Sequence, residues 1–250
     1  MAASTQVRIL DQRTPEERDR PFLPGAGKNW LLPFYDVFTR MGGVRALHER
    51  AAGLASVQPG QAVADVGCGT GNLSFTVLAA QPSARVTGLD PDGDALRRAA
   101  RKARRRGVAL RLMQGYADRI PAPDASFDHV VSSLAVHHLD DDGRSAFARE
   151  ALRVLRPGGT VTIADFGAHS SEDEDGGHST HGHGRVHALR HLPWLRRSGA
   201  AHGPVGDGAH DDGIIALLAD AGFADAREVA HTDHRFGRVA FVQATRPRLD

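Results

Sequence analysis

Three observations predict an α/β fold, a doubly wound and mostly parallel seven-stranded sheet behind an N-terminal helical cap. Short apolar strands alternate with helices of ten to fifteen residues, a glycine-rich turn follows the first buried strand, and two strands close the chain as a hairpin. Residues 1–28 are polar, hold Pro15, Pro21 and Pro24, and read as a flexible leader. Residues 29–57 carry apolar side chains at spacings of three and four, broken at Gly42-Gly43, and read as a helical cap of two helices. The main domain then spans 58–250. AVADVG is its first strand, followed by a helix over 71–80. RVTGLD is the second strand, stopped by Pro91. A helix over 92–106 buries Ala95, Leu96, Ala99, Ala100 and Ala103 and leaves its arginines outside that stripe. VALRLMQG and FDHVVSSLAV are the third and fourth strands, a helix fits 143–155, and TVTIADF is the fifth strand. Residues 167–208 form a His-rich insertion of Gly, His, Ser and Asp that breaks the rhythm. DDGIIALLADAG restores a helix, and AREVAHT and GRVAFVQATR are the final, antiparallel pair.

Composition narrows the function classes. Cys68 is the one cysteine, so no internal disulfide and no cysteine-based zinc site exists. No stretch approaches the roughly 20 apolar residues of a membrane span. The start, MAASTQVRILDQRTPEERDR, lacks the apolar core of a signal peptide, so the cytoplasm is the expected compartment. With 31 basic and 30 acidic residues, no global attraction to nucleic acid is expected.

Parallel βαβ units bind ligands at the rim formed by the carboxyl ends of the strands. At the first such turn stands Asp65-Val66-Gly67-Cys68-Gly69-Thr70-Gly71-Asn72. Glycines there let a ligand approach the backbone, and the helix that follows offers free N–H groups. The third glycine comes one residue too early for a dinucleotide fingerprint, and no P-loop lysine follows. Asp65 repels phosphate but attracts an ammonium or sulfonium. Asp90, closing the second strand, suits two ribose hydroxyls. A glycosylated ligand with a cationic, amino-acid-like end satisfies both, and S-adenosylmethionine fits.

VADVGCGTGNLS resembles motif I of class I S-adenosylmethionine-dependent methyltransferases. VTGLDPDGDAL, GYADRIPAPDASFDHVVSSLAVHHL and LRVLRPGGTVTIADF resemble the family's later motifs in order, covering about residues 60–166. The motif set and LLPFYDVFTRMGG look most like the quinone C-methyltransferase and small-molecule branch. The resemblance implies a Rossmann-like methyltransferase fold with S-adenosylmethionine as cofactor. It places Asp65, Gly67, Gly69, Thr70 and Gly71 around the methionyl end and Asp90 on the ribose. Ala117 and Asp118 fall along the adenine edge, and Leu134 near the sulfonium. Tyr116 departs from the family, which often has Asp or Asn there.

His137 and His138 follow the fourth strand on the ligand rim and are the candidate general bases for an acceptor that must lose a proton. Trp30, Tyr35 and Phe38 of the cap, with Trp194 of the insertion, are the candidate acceptor contacts. The expected acceptor is a small apolar or amphipathic molecule: a quinone, a lipid headgroup or a secondary metabolite. Eight of 14 histidines lie between His169 and His210. No metal is assigned; His178, His181 and His183 are the candidates if one binds, while a lid and a flexible polar loop are the other readings. The alternatives are an RNA methyltransferase, suggested by the arginines of 97–106, and a non-catalytic S-adenosylmethionine-binding or metal-handling protein. Oligomeric state is not legible.

Overall fold

The computed structural model describes residues 7–22, 43–166, 212–234 and 237–248. Chain order gives β1 (Ile9–Asp11), α1 (Pro15–Asp19), α2 (Val44–Ala55), β2 (Ala62–Val66), α3 (Asn72–Ala80), β3 (Arg85–Asp90) and α4 (Gly93–Arg106). β4 (Arg111–Gln114), β5 (Phe127–Ser133), α5 (Asp141–Val154), β6 (Leu155–Phe166), α6 (Asp212–Asp220), β7 (Ala224–His234) and β8 (Gly237–Thr245) follow. A single 3-10 turn, Val136–His138, links β5 to α5.

The strands make one sheet in the order β1-β4-β3-β2-β5-β6-β8-β7. Every pair from β1 to β6 is parallel, and the β6–β8 and β7–β8 pairs are antiparallel. The order reverses on either side of β2, and such a switch point opens a crevice at the carboxyl ends of the strands. β2 sits in the middle with all five residues buried, as a strand covered on both faces must. On one face, Leu47 of α2, Val77 of α3 and Leu96 of α4 pack against the sheet. On the other, Phe147 of α5 and Leu218 of α6 pack against Val130 and Ile163. The predicted stripe of α4 is buried in full, and Asp92 caps that helix.

The sheet has eight strands, one more than the seven expected, and the extra one corrects the reading of the leader. Ile9–Asp11 pairs parallel with Leu112–Gln114 at the sheet edge. Three residues are too few to show a period in sequence, and the pairing lies about a hundred residues away. α1 carries a capping box: Thr14 Oγ1 accepts from Glu17 N, and the Glu17 carboxylate accepts from Thr14 N. The Arg119 guanidinium then holds Glu17 at 2.5 and 2.6 Å. Residues 7–20 are therefore built into the fold. β6 also begins earlier than expected, running through Pro157-Gly158-Gly159, with a register shift against β5.

Trp30, Tyr35, Phe38 and Trp194 lie outside the described residues, as do the His-rich insertion and its candidates His178, His181 and His183. Among the described residues, no cluster of metal-ligating side chains occurs, and no helix is long and apolar enough to cross a membrane.

Candidate active site

A cavity of about 660 Å³ opens where β2, β3 and β5 end. Its floor is the glycine turn. Gly67 N and Cys68 N both donate to Leu89 O, at 2.9 and 3.0 Å, and Gly69 N donates to Asp90 Oδ2 at 2.7 Å. These bonds tie the turn to the end of β3. Gly67 has φ +74°, and a Cβ there would lie 2.4 Å from Ala135 Cβ, so the turn and the loop after β5 meet only because this residue has no side chain. A Cβ on Gly69 would meet nothing within 4 Å, leaving its backbone open to a ligand. Lys102 of α4 fastens the far side, donating to Thr70 Oγ1 at 2.9 Å and Asn72 Oδ1 at 3.1 Å.

Two buried carboxylates flank the turn. Asp65 is 1% exposed and accepts from Ser74 Oγ at 2.5 Å. Burial pushes its carboxyl from an ordinary 3.8 up to about 7. Asp90 accepts from Gly69 N and Asp92 N, and burial pushes it up to about 6. A fold that keeps two such groups beside a cavity is suited to a cationic ligand. Open glycine backbone at one end and acceptor carboxylates at the other match an amino-acid-bearing nucleoside.

The opposite wall is made by Leu134, Ala135 and Val136, with His138 and Leu139 beyond them. Leu134 has φ +54° and donates its N–H to Ala164 O at 2.9 Å, a strained residue held by the neighbouring strand. Asp165, fully buried at the end of β6, organises this loop. Its Oδ2 accepts from Ala135 N, Val136 N and His137 N at 3.1, 2.7 and 3.3 Å. Its Oδ1 accepts from Phe166 N at 2.8 Å and pairs with His137 Nδ1 at 2.5 Å. The His137 ring lies 4.0 Å from that of His138, centroid to centroid. Partial burial and the neighbouring His137 push the His138 imidazole down.

Of the residues singled out in sequence, Asp65, Gly67, Gly69, Thr70, Asp90, Ala117, Leu134 and His138 line the cavity. Gly71 caps α3 behind it. His137 stands beside the wall rather than in it. Asp118 is not among the residues that line the cavity and is ion-paired with Arg20. Arg20 also lies 4.6 Å over the Tyr116 ring, and Tyr116 Oη donates to Arg20 O at 2.6 Å. Arg20 and Tyr116 thus line the cavity beside Ala117, where the resemblance had put Asp118. Sequence reasoning missed Asp165, Lys102, Arg20 and His48. Asp165 showed the same signal as Asp65 and Asp90, an acid at the carboxyl end of a buried strand. His48 follows the stripe residue Val44 by one turn. Val44 and His48 line the cavity, and burial with nearby Lys102 pushes the His48 imidazole down to about 4.

Residues 63–159 match a family model described as a methyltransferase domain. Over those residues the chain carries a methyltransferase domain, for which S-adenosylmethionine is the cofactor. The chain is 37% identical over 122 residues to 27-O-demethylrifamycin SV methyltransferase of Amycolatopsis mediterranei, covering 48% of this chain and 44% of the relative. It is 31% identical over 139 residues to the demethylmenaquinone methyltransferase of Thermus thermophilus, covering 54% and 62%. It therefore spans about half the length of these curated relatives. Its fold matches that of an S-adenosylmethionine-dependent methyltransferase from Aquifex aeolicus with a TM-score of 0.53 at 19% identity, covering 79% of this chain and 88% of that one.

Proposed function

We propose that this protein transfers a methyl group from S-adenosylmethionine to a hydroxyl of a small apolar or amphipathic acceptor, and that His137 takes the hydroxyl proton. The observation that carries the proposal is the His137–Asp165 pair on the loop that walls the cavity opposite Asp90. The cofactor, when bound, supplies a methyl group already activated by its sulfonium. The protein's part is then alignment, exclusion of water and removal of one proton. Asp65 and the glycine turn would hold the cationic end, Asp90 would hold the ribose, and Leu134 would pack beside the methyl-bearing end. Asp165 keeps the His137 proton on Nδ1, which leaves Nε2 free to accept. His137 would take the proton that the acceptor hydroxyl loses on methylation. His138, Leu139 and Phe147 give the acceptor end of the cavity a mostly apolar wall with one polar edge.

The two curated relatives support the acceptor class, since one is named for a rifamycin and the other for a menaquinone precursor. A nucleic-acid acceptor draws less support, because several arginines of α4 already have partners. Arg97 pairs with Asp94, Arg104 donates to Val7 O, and Arg106 lies over the Phe75 ring. The reading places the reaction in the cytoplasm. The test is release of S-adenosylhomocysteine against a panel of hydroquinones, phenols and polyketide hydroxyls, with RNA as comparison. His137→Ala is expected to lower turnover about 100-fold or more, within the range of general-base catalysis, at unchanged cofactor affinity. Turnover unaffected by that change removes the proposed base.

A further inference from the structure

We propose that Asp92, besides capping α4, is a second carboxylate acceptor for the ribose diol of the adenosyl group. The inference rests on the cofactor reading above. Asp92 is 6% exposed and lines the cavity two residues beyond Asp90. Its Oδ1 accepts from Asp94 N at 2.8 Å and Ala95 N at 3.1 Å, which accounts for the helix cap. Its Oδ2 is buried and has no hydrogen-bond partner among the described residues. A buried carboxylate oxygen without a donor is costly, and such groups in native proteins mark a place where a ligand or solvent completes the bond.

The neighbouring groups single this oxygen out. Each oxygen of Asp90 already accepts one backbone N–H. Asp118 Oδ1 also lacks a partner, but Asp118 stands outside the wall and is held by Arg20. Ser133 Oγ lacks one too, yet a hydroxyl can rotate to donate or accept and is less demanding. Among the described residues, Asp92 alone combines a fixed carboxylate, an unfilled acceptor and a place in the cavity wall next to the acid assigned to the ribose. A vicinal diol has two hydroxyls to donate, and Asp90 with Asp92 gives each its own carboxylate. A hydroxyl bonded to Asp92 also eases the repulsion between these two neighbouring acids.

Two variants separate the cap from the ligand. Asp92→Ser keeps a capping oxygen and removes the second one; Asp92→Asn keeps the cap and replaces the acceptor by a donor. Calorimetric titration with S-adenosylhomocysteine is expected to show affinity lowered about tenfold or more in both, the range for a hydrogen bond to a charged group. The melting temperature of the ligand-free protein should stay near wild type. The 2′-deoxy and 3′-deoxy forms of the ligand provide the decisive arm. One of them, lacking the hydroxyl that meets Asp92, should bind wild type and Asp92→Ser equally. Wild-type affinity in both variants overturns the proposal, as does an equal penalty from Asp92→Ser for both deoxy ligands. Failure of the wild type itself to bind S-adenosylhomocysteine overturns the cofactor reading instead, and is distinguishable for that reason.

Discussion

Replacing Asp165 by Asn tests the proposed base through the group that orients it. Five N–H groups converge on the two carboxylate oxygens, three on Oδ2 and two on Oδ1. An amide offers one oxygen and one NH2. With its oxygen toward the loop it keeps all three backbone bonds at Oδ2, whereas the reverse orientation strands all three. The first orientation wins and leaves the NH2 facing Phe166 N–H and His137. One stranded N–H costs about 1–3 kcal/mol, or roughly 2–10 °C in melting temperature for a chain of this size. The NH2 donates to His137 Nδ1 and so drives the proton to Nε2, the wrong tautomer for a base. Turnover should fall about 100- to 10,000-fold, the contribution of a positioned general base. Affinity for S-adenosylmethionine should be unchanged, since Asp165 is not in the cavity wall. Steady-state release of S-adenosylhomocysteine, calorimetric titration and a thermal melt read the three quantities. Wild-type turnover in Asp165→Asn refutes the reasoning. So does a fall in turnover matched by an equal fall in cofactor affinity.

Three further outcomes follow from the geometry. Gly67→Ala should destabilise the protein by more than the roughly 1–2 kcal/mol of left-handed backbone strain, because its Cβ meets Ala135 Cβ at 2.4 Å; a melt within 2 °C of wild type would contradict the packing of turn against loop. Cofactor binding should release protons between about pH 6 and 7. In the free protein Asp65 and Asp90 titrate near 7 and 6, and a cationic ligand with donated hydroxyls favours the ionised forms, so both values drop and affinity rises with pH up to about 7. Titrations in buffers of different ionisation enthalpy would show no net proton change if the carboxylates face something else. Lys102→Ala should weaken cofactor affinity several-fold, with kcat near wild type, by freeing Thr70 and Asn72; unchanged affinity would reduce Lys102 to surface packing.

The glycine turn, Asp65 and Asp90 were legible in sequence because their signal is local. The whole device lies within 26 residues, and its glycines and acids sit at fixed offsets from two apolar runs. The α4 stripe was legible for the same reason, since one helical period decides which side chains are buried. What escaped was set by register between distant segments. Asp165 reaches His137 across 28 positions because β6 lies beside β5. Arg20 reaches Asp118 across 98 because the leader adds a strand next to β4. Lys102 reaches Thr70 across 32 from the next helix. A period-based reading assigns each of these to a surface or a loop, and strand order then brings them to one rim. The missed strand β1 is the instructive case. A three-residue strand has no pattern of its own, yet it anchors the segment that brings Arg20 to the cavity wall.

The most direct measurement is S-adenosylhomocysteine formed per mole of methylated acceptor, followed by mass spectrometry across the hydroquinone, phenol and polyketide panel. The account predicts one equivalent of each with at least one acceptor, no formation in Asp90→Ala through loss of cofactor binding, and a loss of about 100-fold or more in His137→Ala with binding intact. Tight cofactor binding by the wild type with no S-adenosylhomocysteine from any acceptor would contradict it.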